Sequence, residues 1–222
     1  MIFEVFAERK DPSILSFAIR QEGQGLDRKP IATVTKMIRN VKVNMFGRTY
    51  EYVPAEVPTK KFDLTYPVEP QSGMARGYRI LQRTGDEMSE SQCYTAQAVT
   101  KKSLLKKTKF DFDVFTLGGT TYLCMKTGLG ARSYYYCVLD AKKGQTIIMI
   151  EYINSNLDNR LARIILDDVT FAGEAFLIFA KCVVVPIPVD EEAKLADPSR
   201  EKYVSSDEEK AYFDREFFRE HC

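Results

Sequence analysis

Between Phe110 and Ile153 the chain is built from short apolar runs separated by turn residues. Phe110, Phe112 and Val114 alternate with Asp111 and Asp113, the two-residue period of a half-buried strand with both carboxylates on its solvent face. Gly118-Gly119 supplies the positive φ angles of a tight hairpin turn, and residues 121–125 return as a second strand. Gly128 and Gly130 mark a loop, residues 134–139 a third strand, residues 140–144 a turn, and residues 146–153 a fourth strand. The pattern predicts a four-stranded antiparallel meander. Upstream, Val41, Val43 and Met45 alternate with polar residues, Gly47 turns the chain, and residues 49–53 pair back before Pro54. Residues 78–81 form a further strand, meeting a turn at residues 84–86. The connection from Pro54 to Gly77 is rich in proline and is where a boundary would fall if there were two domains.

Residues 171–185 follow another rule. Only Gly173, Glu174 and Lys181 interrupt the apolar residues, and the run is too short to span a bilayer as a helix. Glu174 and Lys181 are seven apart, which places both on one narrow side of a helix and leaves every other side apolar. Such a helix must be surrounded by protein. The β-branched run at residues 182–185 also suits a buried strand. After Pro188 the chain becomes acidic. Ser206 and Glu209 have capping-box spacing, and Ala211, Phe213, Phe217 and Phe218 lie on one side, predicting an amphipathic helix from about Asp207 to Glu220. It either docks on its own domain or binds a partner through Phe213, Phe217 and Phe218.

Charge sharpens this division. The chain of 222 residues has a formal charge of +1, which excludes bulk electrostatic binding of nucleic acid. Residues 189–222, however, carry eleven acidic and six basic side chains, leaving 26 basic and 20 acidic groups in the body. Near-neutrality therefore conceals a basic body with an acidic tail.

The single histidine, His221, lies next to the C-terminus, where chains usually fray. Triads and multi-histidine metal sites therefore lack their imidazole, and no catalytic set, metal site or cofactor is expected. Cysteines 93, 124, 137, 182 and 222 contain no CxxC pair; those in apolar runs read as buried thiols of a reducing compartment. With no signal-peptide-like run in the first thirty residues, the expected location is cytoplasmic.

The candidate binding residues are cationic. Residues 101–109 contain five lysines, among them Lys101, Lys102, Lys106 and Lys107; they suit either a solvated face or an anionic membrane surface or phosphate ligand. A second set, Lys126, Arg132, Lys142 and Lys143, flanks the meander's loops and is expected to converge on one barrel edge. Tyr134 and Tyr136 fall on one face of a strand and Tyr135 on the other, as packing residues do. Gly128-Leu129-Gly130 lacks the third glycine and helix of a dinucleotide fingerprint. Glu4 and Glu8 are isolated, which disfavours a carboxylate-lined triphosphate tunnel.

Residues 122–126, the glycine-containing loop with Arg132-Ser133, and residues 136–140 resemble the basic hairpin of tubby C-terminal domains; residues 174–180 resemble the apolar helix that closes them. The likeness covers residues 78–186 and extends to the superfamily of LURP-one-related proteins and phospholipid scramblases. It implies a closed β-barrel threaded by a hydrophobic helix. It also implies phosphoinositide binding through hairpin cations, of which Lys126 and Arg132 match in place. The acidic tail after Pro188 departs from the family pattern.

The expectation is a mainly β chain: an antiparallel barrel-like sheet enclosing an apolar helix, with a terminal amphipathic helix. Residues 1–188 form one domain, less regular over 1–77 and clearer over 78–188, and 189–222 form the tail. The expected role is a non-enzymatic binding or scaffold module for anionic lipid or another phosphate-bearing ligand. The alternatives are a structural protein that self-associates or docks a partner through its C-terminal helix, and an enzyme working without histidine.

Overall fold

The structure is a computed structural model that describes residues 1–11, 14–37, 40–59, 73–84, 87–103, 106–128, 133–153, 159–184 and 214–221. Twelve strands run in chain order: β1 Ile2–Asp11, β2 Ile14–Gln21, β3 Ala32–Lys36, β4 Val41–Met45, β5 Arg48–Pro58, β6 Met74–Thr84, β7 Glu87–Ser103, β8 Lys106–Leu117, β9 Thr120–Gly128, β10 Ser133–Asp140, β11 Thr146–Ile153 and β12 Arg160–Leu166. Each pairs antiparallel with its neighbours in sequence, and β1 pairs back onto β12 through Phe3↔Ile164 and Val5↔Ala162. The sheet is therefore a closed barrel, in which every strand has a partner on both sides along part of its length. Strands on both sides of the proline-rich connection belong to it.

An eight-stranded barrel is just filled by its own side chains, and twelve strands enclose a wider space. Here the chain fills it. After β12, Asp168 caps a 3-10 turn at Val169–Phe171, its Oδ1 accepting from the Thr170 amide at 2.8 Å. Helix α1 (Ala172–Phe179) then leads into a π-helical turn at Ala180–Val184. All twelve strands send side chains into one core cluster with this segment. Its contacts circle the wall: Phe176 meets Phe3 of β1 edge-on with ring centroids 5.1 Å apart, and Phe179 meets Phe17 of β2 at 6.2 Å. On the other side the Tyr52 hydroxyl of β5 donates to the Leu177 carbonyl, and the Tyr136 hydroxyl of β10 to the Cys182 carbonyl at 3.2 Å. The Tyr52 hydroxyl is thus a second partner for a carbonyl that also accepts from the Ala180 amide, and the Tyr136 hydroxyl serves a carbonyl in the last turn of the helical segment.

The meander of β8 to β11 and the β4–β5 hairpin form as their patterns predict. Gly118 and Gly119 carry φ of 54° and 81° in the β8–β9 turn. Three details differ from the pattern. Residues 182–184 continue as helix rather than strand, because the lumen offers them no free sheet edge. Strand β5 runs through Pro54 to Pro58, and this is tolerated because β4 pairs with β5 only as far as Val41↔Tyr52.

The third concerns Asp113, which lies on the lumen side with Phe115 and Leu117 rather than facing solvent. The alternation marked the strand but not its inner face. Phe112 and Val114 point outward into a second apolar cluster with Tyr94, Leu123 and Met125, so both faces of β8 are buried.

The outer wall elsewhere carries ion pairs, Arg160 with Glu4 at 2.7 Å and Arg163 with Glu151 at 2.6 Å. Beside them a second helix, α2 (Arg215–His221), docks on the barrel. Asp214 caps it, accepting from the Phe217 amide at 2.9 Å, and Phe217 is buried against Tyr135, Cys137, Met149 and Ile165. His221 stacks on Phe217 and reaches Asp167 at 3.3 Å, so the described end of the chain is anchored rather than frayed. No helix among the described residues is long and apolar enough to cross a membrane.

Candidate functional site

An up-and-down barrel puts alternate connections at opposite rims. The plug enters the lumen at the upper rim, after Leu166, and the turns after β2, β4, β6, β8 and β10 lie there too. The turns after β1, β3, β5, β7, β9 and β11 lie at the lower rim.

This geometry sorts the candidate cations. Lys101, Lys102, Lys106 and Lys107 belong to β7 and β8 where these meet at the lower rim. Lys126, half-buried, stands near the lower end of β9, opposite Tyr136. Arg132 lies outside the described residues. Lys142 and Lys143 are exposed in the β10–β11 turn, on the upper rim. Lys126 and the Lys142-Lys143 pair therefore do not converge on one edge, since consecutive turns of a meander point opposite ways.

The β7–β8 hairpin is the site's distinctive element. In the described residues, β6 pairs with β7 only as far as Gly77↔Tyr94, and β9 with β8 only as far as Cys124↔Asp113. Beyond these points β7 and β8 pair only with each other, forming a two-stranded arm from Thr95↔Asp113 to Ser103↔Lys106. At the last of the β6–β7 pairs the backbones approach closely, which only glycine allows: a Cβ on Gly77 would stand 2.2 Å from the Cys93 carbonyl oxygen. Along the arm, Lys101 lies directly across from Lys107 in register. Like charges directly opposite on paired strands destabilise the pairing, unless an anion lies between or over them.

At the root of the arm the lumen holds a polar nest that strand alternation hid. The Lys181 ammonium, on the π-helical turn, pairs with the Asp113 carboxylate of β8 and donates to the Thr95 hydroxyl of β7 at 3.2 Å. Thr95 in turn donates to Asp113 at 2.7 Å, and Thr95 is exposed, so the nest opens to solvent where the arm leaves the wall. Burial is the largest single influence on the Lys181 pKa and lowers it, but the Asp113 carboxylate together with the neighbouring Cys182 and Cys93 sulfurs outweighs it, and the net shift is upward. Lys181 is therefore held as a cation, which disarms it as a nucleophile or base.

Two thiols adjoin the nest. Cys182 Sγ lies 3.7 Å from Asp113 Oδ2 and 3.6 Å from Cys124 Sγ. Burial pushes the Cys124 and Cys93 thiols well up. The signal that could have revealed the nest is the placement of Lys181 in an otherwise apolar helix, since an enclosed ammonium requires a carboxylate partner.

Of the residues assigned to a partner-binding helix, Phe217 is buried on the barrel wall and Phe218 packs edge-on against Tyr135 at 5.7 Å. Phe213, and the predicted helix before it, lie outside the described residues. Among the described residues no group of three or more potential metal ligands occurs. No family model matches the chain, and no curated protein or solved structure matches it either.

Proposed function

We propose that the protein is a tubby-like barrel that binds phosphate-bearing groups, with an anionic lipid surface as its ligand, through the β7–β8 arm. The carrying observation is the pairing of Lys101 with Lys107 on a hairpin whose far part, among the described residues, pairs with neither neighbouring strand. Like charges directly opposite in register oppose the pairing of such a hairpin, and an anionic surface reverses that cost. The strands that resemble the basic hairpin of tubby domains are β9 and β10, whose connection lies on the same rim. Each lysine near an anionic bilayer contributes about 1 kcal/mol, so the four lysines supply about 4 kcal/mol, enough for reversible association.

Flotation of the full chain with phosphatidylserine vesicles at low and moderate salt tests the reading. Binding at low salt that weakens as salt rises, and that falls about thirty-fold or more in Lys101→Glu with Lys102→Glu, is the expected result. No binding at low salt, or binding unchanged by the substitutions, overturns it. Competition by inorganic phosphate separates recognition of a lone phosphate from a requirement for a surface.

A further inference from the structure

We infer that Cys124 and Cys182 are an oxidisable dithiol that takes a small-molecule disulfide as its oxidant and, once linked, staples the lumenal plug to the barrel wall. The inference rests on two sulfurs that are not on the lysine arm. The two sulfurs are 3.6 Å apart, in contact, on elements that meet only because the plug occupies the lumen. Thiols in contact need only a small adjustment to reach the bonded geometry, provided their Cβ atoms face each other. The pair is also reachable. Cys182 retains 6% of its surface, and it adjoins the nest that opens through exposed Thr95. A bound metal is the other use for such sulfurs, but the Lys181 ammonium already holds the nearby Asp113 carboxylate, leaving no anionic third ligand.

The chemistry balances as ordinary exchange. Cys182 gives up its proton on the Asp113 side, and its thiolate attacks one sulfur of the small disulfide. That S–S bond breaks and a thiolate leaves, forming a mixed disulfide on Cys182. Cys124 Sγ, losing its own proton, then attacks Cys182 Sγ and expels the second thiolate. Two protein thiols become one disulfide, one small disulfide becomes two thiols, and the two protons end on the products. The link joins residues 58 apart in sequence, so it also restricts the unfolded chain.

The test uses the full-length chain with Cys222→Ser, folded, incubated with oxidised glutathione, quenched with acid and mapped by proteolysis and mass spectrometry. The expected result is a peptide pair joined through Cys124 and Cys182, a fall from four free thiols to two, and a raised melting temperature that a phosphine reductant reverses. Adding Cys124→Ala should abolish the link and leave a glutathione adduct on Cys182, whereas Cys93→Ala should preserve the link. Four thiols persisting in the folded protein, a different joined pair, or a link formed only in denaturant overturns the inference. The map of the chain with Cys124 and Cys182 intact decides the matter even where an alanine variant fails to fold.

Discussion

Asp113→Ala is the sharpest perturbation of the lumen, because it removes the carboxylate partner of Lys181, whose side chain is only 11% exposed. Breaking a buried pair in this way costs about 3–5 kcal/mol. The Thr95 hydroxyl remains to accept from Lys181, and the Asp113 side chain is itself 17% exposed, so the low end applies, about 3 kcal/mol. For a chain of this size that lowers Tm by roughly 6–12 °C. Lys181→Met removes the cation and keeps an unbranched side chain in the plug. Asp113 then retains the Thr95 hydrogen bond and some solvent, and the cost is about 1 kcal/mol. The double variant has neither an orphaned ammonium nor an orphaned carboxylate and should lose about 1.5 kcal/mol, a coupling of about 2.5 kcal/mol. Urea unfolding of the four proteins at neutral pH measures this. Additive losses, with coupling below about 0.5 kcal/mol, would refute a buried pair between plug and wall. The pair also sets a pH limit. The folded Lys181 pKa is raised, so the pair's contribution is fully present below the unfolded value, 10.5, and is lost as pH climbs through the folded one.

Three further outcomes follow from the core and the docked helix. Phe176→Ala, which empties the contact between Phe3 and Phe46 over the upper part of the plug, should cost about 3–5 kcal/mol in urea unfolding. Burial pushes the Cys137 thiol from 9.0 to about 12, so above pH 9 the unfolded state sheds its proton first and stability falls. Between pH 8 and 10.5, under phosphine reductant, Cys137→Ala should therefore lose about 2 kcal/mol less than the parent, and equal losses would show that the thiol is not shielded. Phe217→Ser should speed proteolysis within residues 215–221 while the barrel's own unfolding changes little, because α2 packs only on the outer wall. Unchanged cleavage there would contradict the docking.

Much of this fold is legible in residue pattern. The Gly118-Gly119 turn and the runs around it define the meander because both the turn chemistry and the two-residue period are local. The plug is legible because a helix with two charges in fifteen residues has nowhere to go but inside. Closure is not legible: Phe3 finds Ile164 across almost the whole chain, and no local signal specifies that pairing. The face of Asp113 was hidden because Phe112 and Val114 are apolar for the outer cluster, not for the lumen. Its partner lies 68 residues away on the plug. The separation of Lys142 and Lys143 from the lower rim, by contrast, follows from the meander itself, where alternate turns must face opposite ways. The arm was visible only as a lysine-rich run, since its departure from the wall depends on where β6 and β9 stop pairing.

Recognition through one rim is the central claim, and a comparison of two charge reversals tests it most directly. Lys101→Glu with Lys107→Glu alters the arm, and Lys142→Glu with Lys143→Glu alters the opposite rim by the same charge. Measured by flotation with the same phosphatidylserine vesicles at the same salt, the arm variant should lose binding by at least about thirty-fold and the upper-rim variant by less than about threefold. Equal losses would mean that net charge, rather than the arm, governs the association. A larger loss from the upper-rim variant would place the binding surface at the other end of the barrel.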